Sequence, residues 1–345
     1  MRIGLIAPPW LPVPPPSYGG TEAVVDALAR GLHQAGHDVL LFTTGDSTCP
    51  TPKRYVYRQA ERSRLGSTVP ELYHAICAYE TLSDRDIIHD HTVAGLWCAG
   101  HDECPPVVAT AHAAFTEELS KIYGAVQDRV AIVAISKHQA SRAPGLGFAR
   151  VIHHGLDPDT FSPGATSGEY LLFLGRMSPD KGVAVAARVA LSAGRRLLIA
   201  AKIEEQLEQD YFRAEVEPLL GEDVVYLGEV GLAKKRELLA GAVALVNPIR
   251  WAEPFGLVMI EALASGTPVL AFPEGAAPEI VDDGVTGFLC RDEADMIAAV
   301  GRLDRIDRDA CRRAFDGRFT ARRMVEDYLS LYRQVVGGRS GSNAA

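Results

Sequence analysis

The sequence lacks the features that define several protein classes. Its six cysteines include no C-x-x-C pair and no regular spacing, which argues against a disulfide framework or a structural zinc site and predicts reduced thiols. No apolar run reaches the about 20 residues that span a bilayer. The apolar run at residues 3–7 is too short for a secretory signal peptide. We therefore expect a cytoplasmic protein without integral membrane contact.

The charge balance argues against nucleic acid as a partner. The formal net charge is -9 at pH 7, and no long tract of Lys and Arg is present to neutralise a phosphate backbone. One local cluster is basic and consists of Lys53, Arg54, Arg58, Arg62 and Arg64. We interpret it as a solvated face, and peripheral contact with an anionic acceptor or a membrane surface is the alternative.

Strand and helix patterns alternate along the chain. Short apolar runs, typical of buried parallel strands, are separated by amphipathic helical segments. The predicted strands are 3–7, 39–43, 86–89, 107–111, 131–135 and 152–157, then 170–174, 196–201, 224–227, 242–246 and 269–272. This pattern predicts an α/β protein with two doubly wound, Rossmann-like parallel-sheet domains that face a cleft.

A polar, turn-rich segment after residue 157 marks the predicted domain boundary. The expected domains are residues 1–157 and residues 158–323. A closing helix is predicted at 324–336, and the small residues at 337–345 predict a flexible tail. Thr21 is the predicted N-cap of the first helix.

The segment from Glu253 to Glu261 is the strongest functional signal. If a helix begins near Pro254, its first amides point towards a ligand, and helix N-termini bind phosphate. Those amides belong to Phe255, Gly256 and Leu257. Glu253 would accept hydrogen bonds from sugar hydroxyls at the mouth of the helix. Glu261 lies roughly 12 Å further along the helix, which is too far for a glycosidase pair and suits a separate task such as holding a ribose.

A second block places two cations after a predicted strand. Gly175 and Arg176 follow residues 170–174, and Lys181 and Gly182 precede the next helical pattern. Ligands bind at the carboxyl ends of strands in open α/β sheets. Arg and Lys there can neutralise a diphosphate leaving group. For this block taken alone, two unrelated surface cations are the alternative.

Two weaker signals lie in the first half of the chain. Gly19 and Gly20 precede the first helix and are candidate phosphate contacts, although no G-x-G-x-x-G motif follows the first strand. His112 ends the predicted strand 107–111 and is a candidate contact to a sugar hydroxyl or an acceptor.

The sequence provides no convincing metal site. The cluster of His89, His91, Cys98, His101 and Cys104 matches no closed zinc pattern. Asp157 and Asp159 flank a proline, and turn chemistry explains them better than a metal-binding pair does.

Taken in order, these motifs resemble the family 4 retaining glycosyltransferases, which have the two-domain GT-B fold. The resemblance spans nearly the whole chain and is strongest in the second half. It is carried by Gly19-Gly20, His112, Ser136-Lys137, Gly155-Leu156-Asp157, Gly175-Arg176, Lys181-Gly182, Glu253 to Glu261, 264–269 and 278–288.

The resemblance implies an activity and a role for each site residue. It implies sugar transfer from a nucleoside-diphosphate sugar to a hydroxyl-bearing acceptor, with retention and without a metal or another cofactor. The first domain would lie on the acceptor side, the second would bind the donor, and the closing helix would pack on the first domain. In the donor, the diphosphate would contact Arg176, Lys181 and Gly20. The sugar would contact Glu253, the amides that follow it, and His112. The ribose would contact Glu261.

Other functions are compatible with the same motifs. A sugar-nucleotide epimerase of this fold, or a module that binds a nucleotide sugar without turnover, would use many of these residues. The loop before Gly19 contains six prolines at positions 8, 9, 12, 14, 15 and 16, which departs from the family pattern and leaves the acceptor undefined.

Overall fold

A computed structural model describes residues 1–99, 104–164 and 168–342, with side chains up to residue 338. The chain divides into two compact units. The first contains Met1–Gly155 and the residues from Ala321 onwards, and the second contains Leu156–Thr320. The boundaries expected from the sequence were at residues 157 and 323.

The first unit is built on a parallel sheet with strand order β3-β2-β1-β4-β5-β6-β7. Its strands are β1 (Arg2–Ile6), β2 (Asp38–Thr43), β3 (Lys53–Tyr55), β4 (Ile87–Asp90), β5 (Val107–Thr110), β6 (Val130–Ala134) and β7 (Phe148–Val151). Its first four helices are α1 (Gly20–Gln34), α2 (Thr68–Thr81), α3 (Glu117–Gly124) and α4 (Lys137–Ser141). The central strands are buried on both faces, which explains their continuous apolar runs.

The second unit is built on another parallel sheet, with strand order β10-β9-β8-β11-β12-β13. Its strands are β8 (Tyr170–Arg176), β9 (Arg196–Lys202), β10 (Val224–Gly228), β11 (Ala244–Asn247), β12 (Val269–Ala271) and β13 (Gly287–Leu289). Its helices are α5 (Val183–Ser192), α6 (Gln206–Tyr211), α7 (Leu232–Gly241), α8 (Leu257–Ala264), α9 (Ala277–Ile280), α10 (Glu293–Val300) and α11 (Arg308–Arg318). The prediction of two doubly wound parallel sheets is confirmed.

The last helix, α12 (Ala321–Ser342), packs on the first unit. The hydroxyl of Tyr328 lies 2.8 Å from Oγ1 of Thr110, and the hydroxyl of Tyr332 lies 2.7 Å from Nδ1 of His89. The helix continues through Ser342 beyond the expected start of the tail at 337, because extending an anchored helix costs little per residue. Residues 343–345 lie outside the described residues. Among the described helices, none is both long and apolar enough to cross a bilayer.

Two local predictions in the first unit are wrong. Thr21 is not the N-cap of α1, because the helix begins at Gly20, two residues earlier than a Thr21 cap implies, and Gly19 occupies the cap position. Residues 152–157 do not form a strand. The strand is β7, at residues 148–151, and in the stretch that follows Leu156 makes an isolated bridge to Thr320. The polar turn after residue 157 therefore follows an extended connector instead of a strand.

Candidate functional site

The predicted donor residues of the second unit lie at the point where its strand order reverses. Strands β8 and β11 are neighbours, and the chain leaves them towards opposite edges of the sheet. In open α/β sheets, the carboxyl ends of two such strands form the usual ligand-binding crevice. Arg176 is the last residue of β8, Lys181 lies in the segment that follows it, and Glu253 lies in the loop after β11.

Lys181 and Glu253 form a direct ion pair across this point. The ammonium group of Lys181 contacts Oε2 of Glu253, and both side chains are largely buried. The same ammonium group lies 5.1 Å from the ring centre of Trp251, close enough for a cation–π interaction. The pair therefore places one fixed positive and one fixed negative charge side by side at the carboxyl ends of the two central strands.

Two glycines allow the loops to approach closely enough for this pair. Gly182 has φ +75°, and a Cβ atom there would lie 2.4 Å from the carbonyl oxygen of Pro248. Gly275 has φ +59°, and a Cβ atom there would lie 2.4 Å from the carbonyl oxygen of Glu253. A side chain at either position would force the loops apart. Gly182 and Gly275 therefore fix the positions of Lys181 and Glu253.

Arg176 lies at the end of β8 and faces two acidic side chains, one in α6 and one at its N-cap position. Its guanidinium lies 3.6 Å from Oε1 of Glu208 and 3.9 Å from Oε1 of Glu205. Glu208 is buried, and its other oxygen accepts hydrogen bonds from the amides of Glu204 and Glu205 at 2.8 and 3.2 Å. The buried carboxylate of Glu208 therefore orients the guanidinium of Arg176, and about a third of the Arg176 side chain remains exposed. Gly175, the residue before it, meets only ordinary van der Waals contacts.

The helix after Glu253 begins later than predicted. Helix α8 starts at Leu257, and Gly256 is its N-cap with φ +93°. The left-handed conformation of this glycine turns the chain before the helix, so Pro254 and Phe255 precede the helix. Phe255 is buried against Phe319, with ring centres 6.3 Å apart. The first amides of α8, which have no intrahelical partner, are therefore those of Leu257 and Val258.

Glu261 lies on the buried side of α8 and pairs with α7. One carboxylate oxygen lies 2.6 Å from the ammonium of Lys235. The other oxygen, Oε2, is buried without a hydrogen-bond partner in the part of the chain that the structure describes. Because buried polar atoms are normally paired, this oxygen is a candidate acceptor for a ligand hydroxyl.

The predicted residues of the first unit also follow neighbouring strands. The loop after β1 leads to Gly19 and Gly20, and His112 follows β5. A Cβ atom at Gly19 would lie 2.7 Å from Pro15 and 2.8 Å from Leu11. The proline-rich loop therefore needs a glycine at position 19 for steric reasons alone, and Gly20 is the first residue of α1.

His112 belongs to a row of four histidines. The ring of His91, directly after β4, places Nδ1 2.9 Å from Nε2 of His112. His89 lies behind His91 with ring centres 4.1 Å apart, and His154 stacks on His112 at 5.3 Å. Burial lowers the pKa of His112 to about 4 and the pKa values of the other three well below their ordinary value. The row is therefore uncharged at neutral pH.

Several site neighbours were missed from the sequence. Trp251 contacts the Lys181 ammonium, and its indole nitrogen is buried without a partner among the described residues. The sequence signal for Trp251 was its position two residues before Glu253. His91 was considered only as part of a possible zinc cluster, and His154 was not singled out, because contacts between neighbouring strand ends do not follow from local spacing.

The structure contains no assembled metal site in the part of the chain that it describes. No group of three or more His, Cys, Asp or Glu side chains there is arranged to hold an ion. His101, a member of the cluster considered from the sequence, lies outside the described residues. Asp157 accepts a hydrogen bond from the amide of Asp159 at 3.0 Å, which is the expected geometry of a turn.

Two family profiles together cover most of the chain. Residues 18–160 match the profile described as Glycosyltransferase Family 4, and residues 168–305 match the one described as Glycosyl transferases group 1. These profiles and the fold thus define a glycosyltransferase with two Rossmann-like domains, the GT-B fold. The chain belongs to family 4 of these enzymes.

Curated relatives and solved structures are similar to this chain over nearly its full length. Phosphatidyl-myo-inositol mannosyltransferase of Mycolicibacterium smegmatis is 27% identical over 97% of this chain and 92% of the relative. A glycosyltransferase involved in avilamycin A biosynthesis has a crystal structure with a TM-score of 0.75 at 27% identity, covering 98% of both chains. Sucrose-phosphate synthase from Thermosynechococcus elongatus shares the fold, with a TM-score of 0.82 at 21% identity over 98% of this chain and 100% of that one.

Proposed function

We propose that this glycosyltransferase moves a sugar from a nucleoside-diphosphate sugar to an acceptor hydroxyl, with retention and without a metal ion. The observation that carries the proposal is the placement of Arg176, Lys181 and Glu253 at the carboxyl ends of β8 and β11. The two cations suit a diphosphate, and the carboxylate suits sugar hydroxyls.

The cations provide the stabilisation that the reaction needs. As the bond between the anomeric carbon and the diphosphate oxygen breaks, negative charge grows on the leaving group. Preorganised positive groups that meet this charge are usually the largest catalytic contribution. Lys181 is held by Glu253 and Arg176 by Glu208. Both cations are therefore in place before the charge develops, and we propose that they act where other transferases use a metal.

Binding of the donor is shared among three further groups. The first amides of α8 suit a phosphate oxygen. The unpaired Oε2 of Glu261 suits a ribose hydroxyl. In the first unit, His112 offers a neutral ring to a sugar hydroxyl. We propose that the acceptor hydroxyl attacks on the face from which the diphosphate departs, so that configuration is retained, and we assign no covalent nucleophile.

The relatives suggest which acceptors to try. Two kinds of relative are named for inositol-containing acceptors, phosphatidyl-myo-inositol mannosyltransferase and D-inositol 3-phosphate glycosyltransferase. Inositol, inositol phosphate and phosphatidylinositol are therefore the first acceptors to test. The glycosyltransferase involved in avilamycin A biosynthesis suggests intermediates of that biosynthesis as a second class to test.

Product analysis tests the proposal. The chain is incubated with each candidate nucleotide sugar, with and without acceptor, in the presence of a chelator. We expect a new glycoside whose anomeric configuration equals that of the donor, together with release of the nucleoside diphosphate. An inverted product would contradict retention, and activity only after magnesium addition would contradict metal independence. An altered sugar nucleotide without any acceptor product would favour the epimerase.

A further inference from the structure

Helix α2 of the first unit carries apolar side chains on two opposite faces. Its inward face packs in the core through Pro70, His74, Ala75, Ala78 and Tyr79. Its outward face exposes Val69, Tyr73 and Ile76, with exposed fractions of 73%, 50% and 43%. Positions 69, 73 and 76 have the spacing of one helix face. A helix that covers a sheet normally has a polar outward face, so core packing does not explain this row.

The apolar row continues beyond the helix. Leu65, three residues before the helix starts, is 66% exposed. Trp97, on a short 3-10 turn that packs against α2, is 58% exposed. Tryptophan and tyrosine are the residues enriched at the boundary between lipid and water. The exposed row thus combines aliphatic side chains (Leu65, Val69 and Ile76) with the amphipathic aromatic rings of Tyr73 and Trp97.

Basic residues flank this row. Residues 53–69 contain five basic residues and one acidic residue, Glu61, for a segment charge of +4 in a chain of net charge -9. Arg54, Arg58, Arg62 and Arg64 are all exposed. The chain therefore concentrates positive charge beside the apolar row while the remainder of the molecule is acidic. This combination argues against a solvated face, the interpretation preferred from the sequence.

We propose that the α2 surface, formed by Leu65, Val69, Tyr73 and Ile76 with the arginines of residues 54–64, docks on an anionic lipid membrane. The apolar row would enter the boundary between headgroups and acyl chains, and the arginines would bind headgroup phosphates. Interfacial helices bind in this way, through apolar area on one face and basic residues beside it. A lipid surface is favoured over a protein partner because the excess positive charge matches anionic headgroups in any arrangement.

Vesicle sedimentation tests the proposal on the full chain. The probes are vesicles of phosphatidylcholine alone and of phosphatidylcholine mixed with phosphatidylglycerol. We expect binding to the mixed vesicles that weakens as salt is raised, because surface attraction is screened. The Val69→Ser and Ile76→Ser double variant should bind about tenfold less tightly, because two inserted side chains are lost. The Arg62→Gln and Arg64→Gln double variant should bind less tightly and lose part of its salt dependence.

Leu207→Ser is the matched control. Leu207 is 78% exposed on α6 of the second unit, outside the proposed surface, so its variant should bind vesicles like the unchanged chain. Absence of binding to mixed vesicles, equal binding to both vesicle types, or an equal effect of Leu207→Ser would overturn the proposal. Nucleotide binding measured on the same variants reports separately on the donor site, so failure of the membrane surface and failure of the proposed function are distinguishable.

Discussion

The Nδ1 atom of His91 lies 2.9 Å from the Nε2 atom of His112. Both rings are neutral near pH 7, because burial lowers both pKa values, so one nitrogen donates and the other accepts. The second nitrogen of His91, Nε2, is buried without a partner in the described part of the chain. An unpaired buried N–H is rarer than an unpaired acceptor. We therefore assign the proton of His91 to Nδ1, so that Nε2 of His112 accepts and Nδ1 of His112 carries the proton.

This assignment predicts that His112 offers a hydrogen-bond donor and that His91 maintains it. Nitrogen NMR of the free protein should show protonated Nδ1 and bare Nε2 on His112. In His91→Leu this preference should disappear and kcat should fall about tenfold, near 1.4 kcal/mol, with little change in KM. His91→Asn, whose amide nitrogen can replace Nδ1 as donor, should recover most of the activity. An unchanged His112 tautomer in His91→Leu would contradict the assignment.

Removal of either cation of the donor site should slow the chemical step. In Lys181→Ala or Arg176→Ala we expect kcat to fall on the order of a hundredfold, about 3 kcal/mol if each contact acts like a donor in an oxyanion hole. Steady-state kinetics with a saturating donor measures this effect. Lys234→Ala is the matched control, because Lys234 is an exposed lysine of the same unit paired with Glu237. Normal turnover in both site variants would refute their proposed role.

Gly182 should be essential for the geometry of the Lys181–Glu253 pair. Gly182→Ala adds a Cβ atom 2.4 Å from the Pro248 carbonyl oxygen at φ +75°, so the loops must separate. We expect a loss of about 1–3 kcal/mol of stability and weaker nucleotide binding, measured by denaturant unfolding and calorimetry.

Gly194→Ala provides the control for the backbone contribution. Gly194 also has a positive φ, +60°, but nothing lies within 4 Å of its Cβ position. Its alanine variant should lose only the stability that the left-handed conformation costs and should bind nucleotide normally. Equal losses in the two variants would mean that the contact with Pro248 is unimportant.

Glu261 should recognise the ribose. If its free oxygen binds a ribose hydroxyl, Glu261→Ala should lower the affinity for a ribonucleoside diphosphate, and the unchanged chain should bind the corresponding deoxyribonucleotide less tightly. The two losses should not add, because they remove the same contact. Calorimetric titration of the unchanged chain and of Glu261→Ala, each with the ribonucleotide and the deoxyribonucleotide, gives the four affinities that are needed. Fully additive losses of binding free energy would show that Glu261 does not contact the ribose hydroxyl.

Two buried groups should give opposite pH dependence of stability. Burial lowers the pKa of His74 to about 4, so its contribution is present above pH 6.5 and is lost as the pH falls towards 4. Burial raises the pKa of Glu22 to about 7, so its contribution is present below pH 4.5 and is lost as the pH rises towards 7. Between its folded and unfolded pKa values, each group changes the slope of the unfolding free energy against pH by up to about 1.4 kcal/mol per pH unit.

Denaturant unfolding from pH 4.5 to 6.5 measures both slopes. His74→Gln should make the rise of stability with pH shallower than in the unchanged chain, and Glu22→Gln should make it steeper. Slope changes of the same sign in the two buried variants would contradict the burial argument.

The fold was predictable because most of the local patterns agreed with it. The predicted strand 170–174 and the helical pattern predicted after Gly182 correspond to β8 and α5, since buried parallel strands and amphipathic helices have distinct apolar periods. Strands β3, β7 and β13 were missed. They have only three or four residues, and β3 consists of Lys53, Arg54 and Tyr55 at the sheet edge, where charged residues are common.

The details of the site depended on contacts that the sequence does not display. Lys181 and Glu253 are 72 positions apart, and their pairing follows from the adjacency of β8 and β11. The start of α8 was placed too early because Pro254 suits a first helical turn, whereas Gly256 provides the left-handed turn that begins the helix. Threonine is a common N-cap residue, but α1 begins at Gly20 and Gly19 occupies its N-cap position.

Binding of a nucleoside diphosphate tests the central claim most directly. The melting temperature of the chain is measured with UDP, GDP, ADP and dTDP, each with and without magnesium. The account predicts that at least one of them stabilises the chain without magnesium, by about 2.7 kcal/mol at a hundredfold excess over its dissociation constant, and that Lys181→Ala loses this stabilisation. No stabilisation by any of the four, or stabilisation only with magnesium, would contradict it.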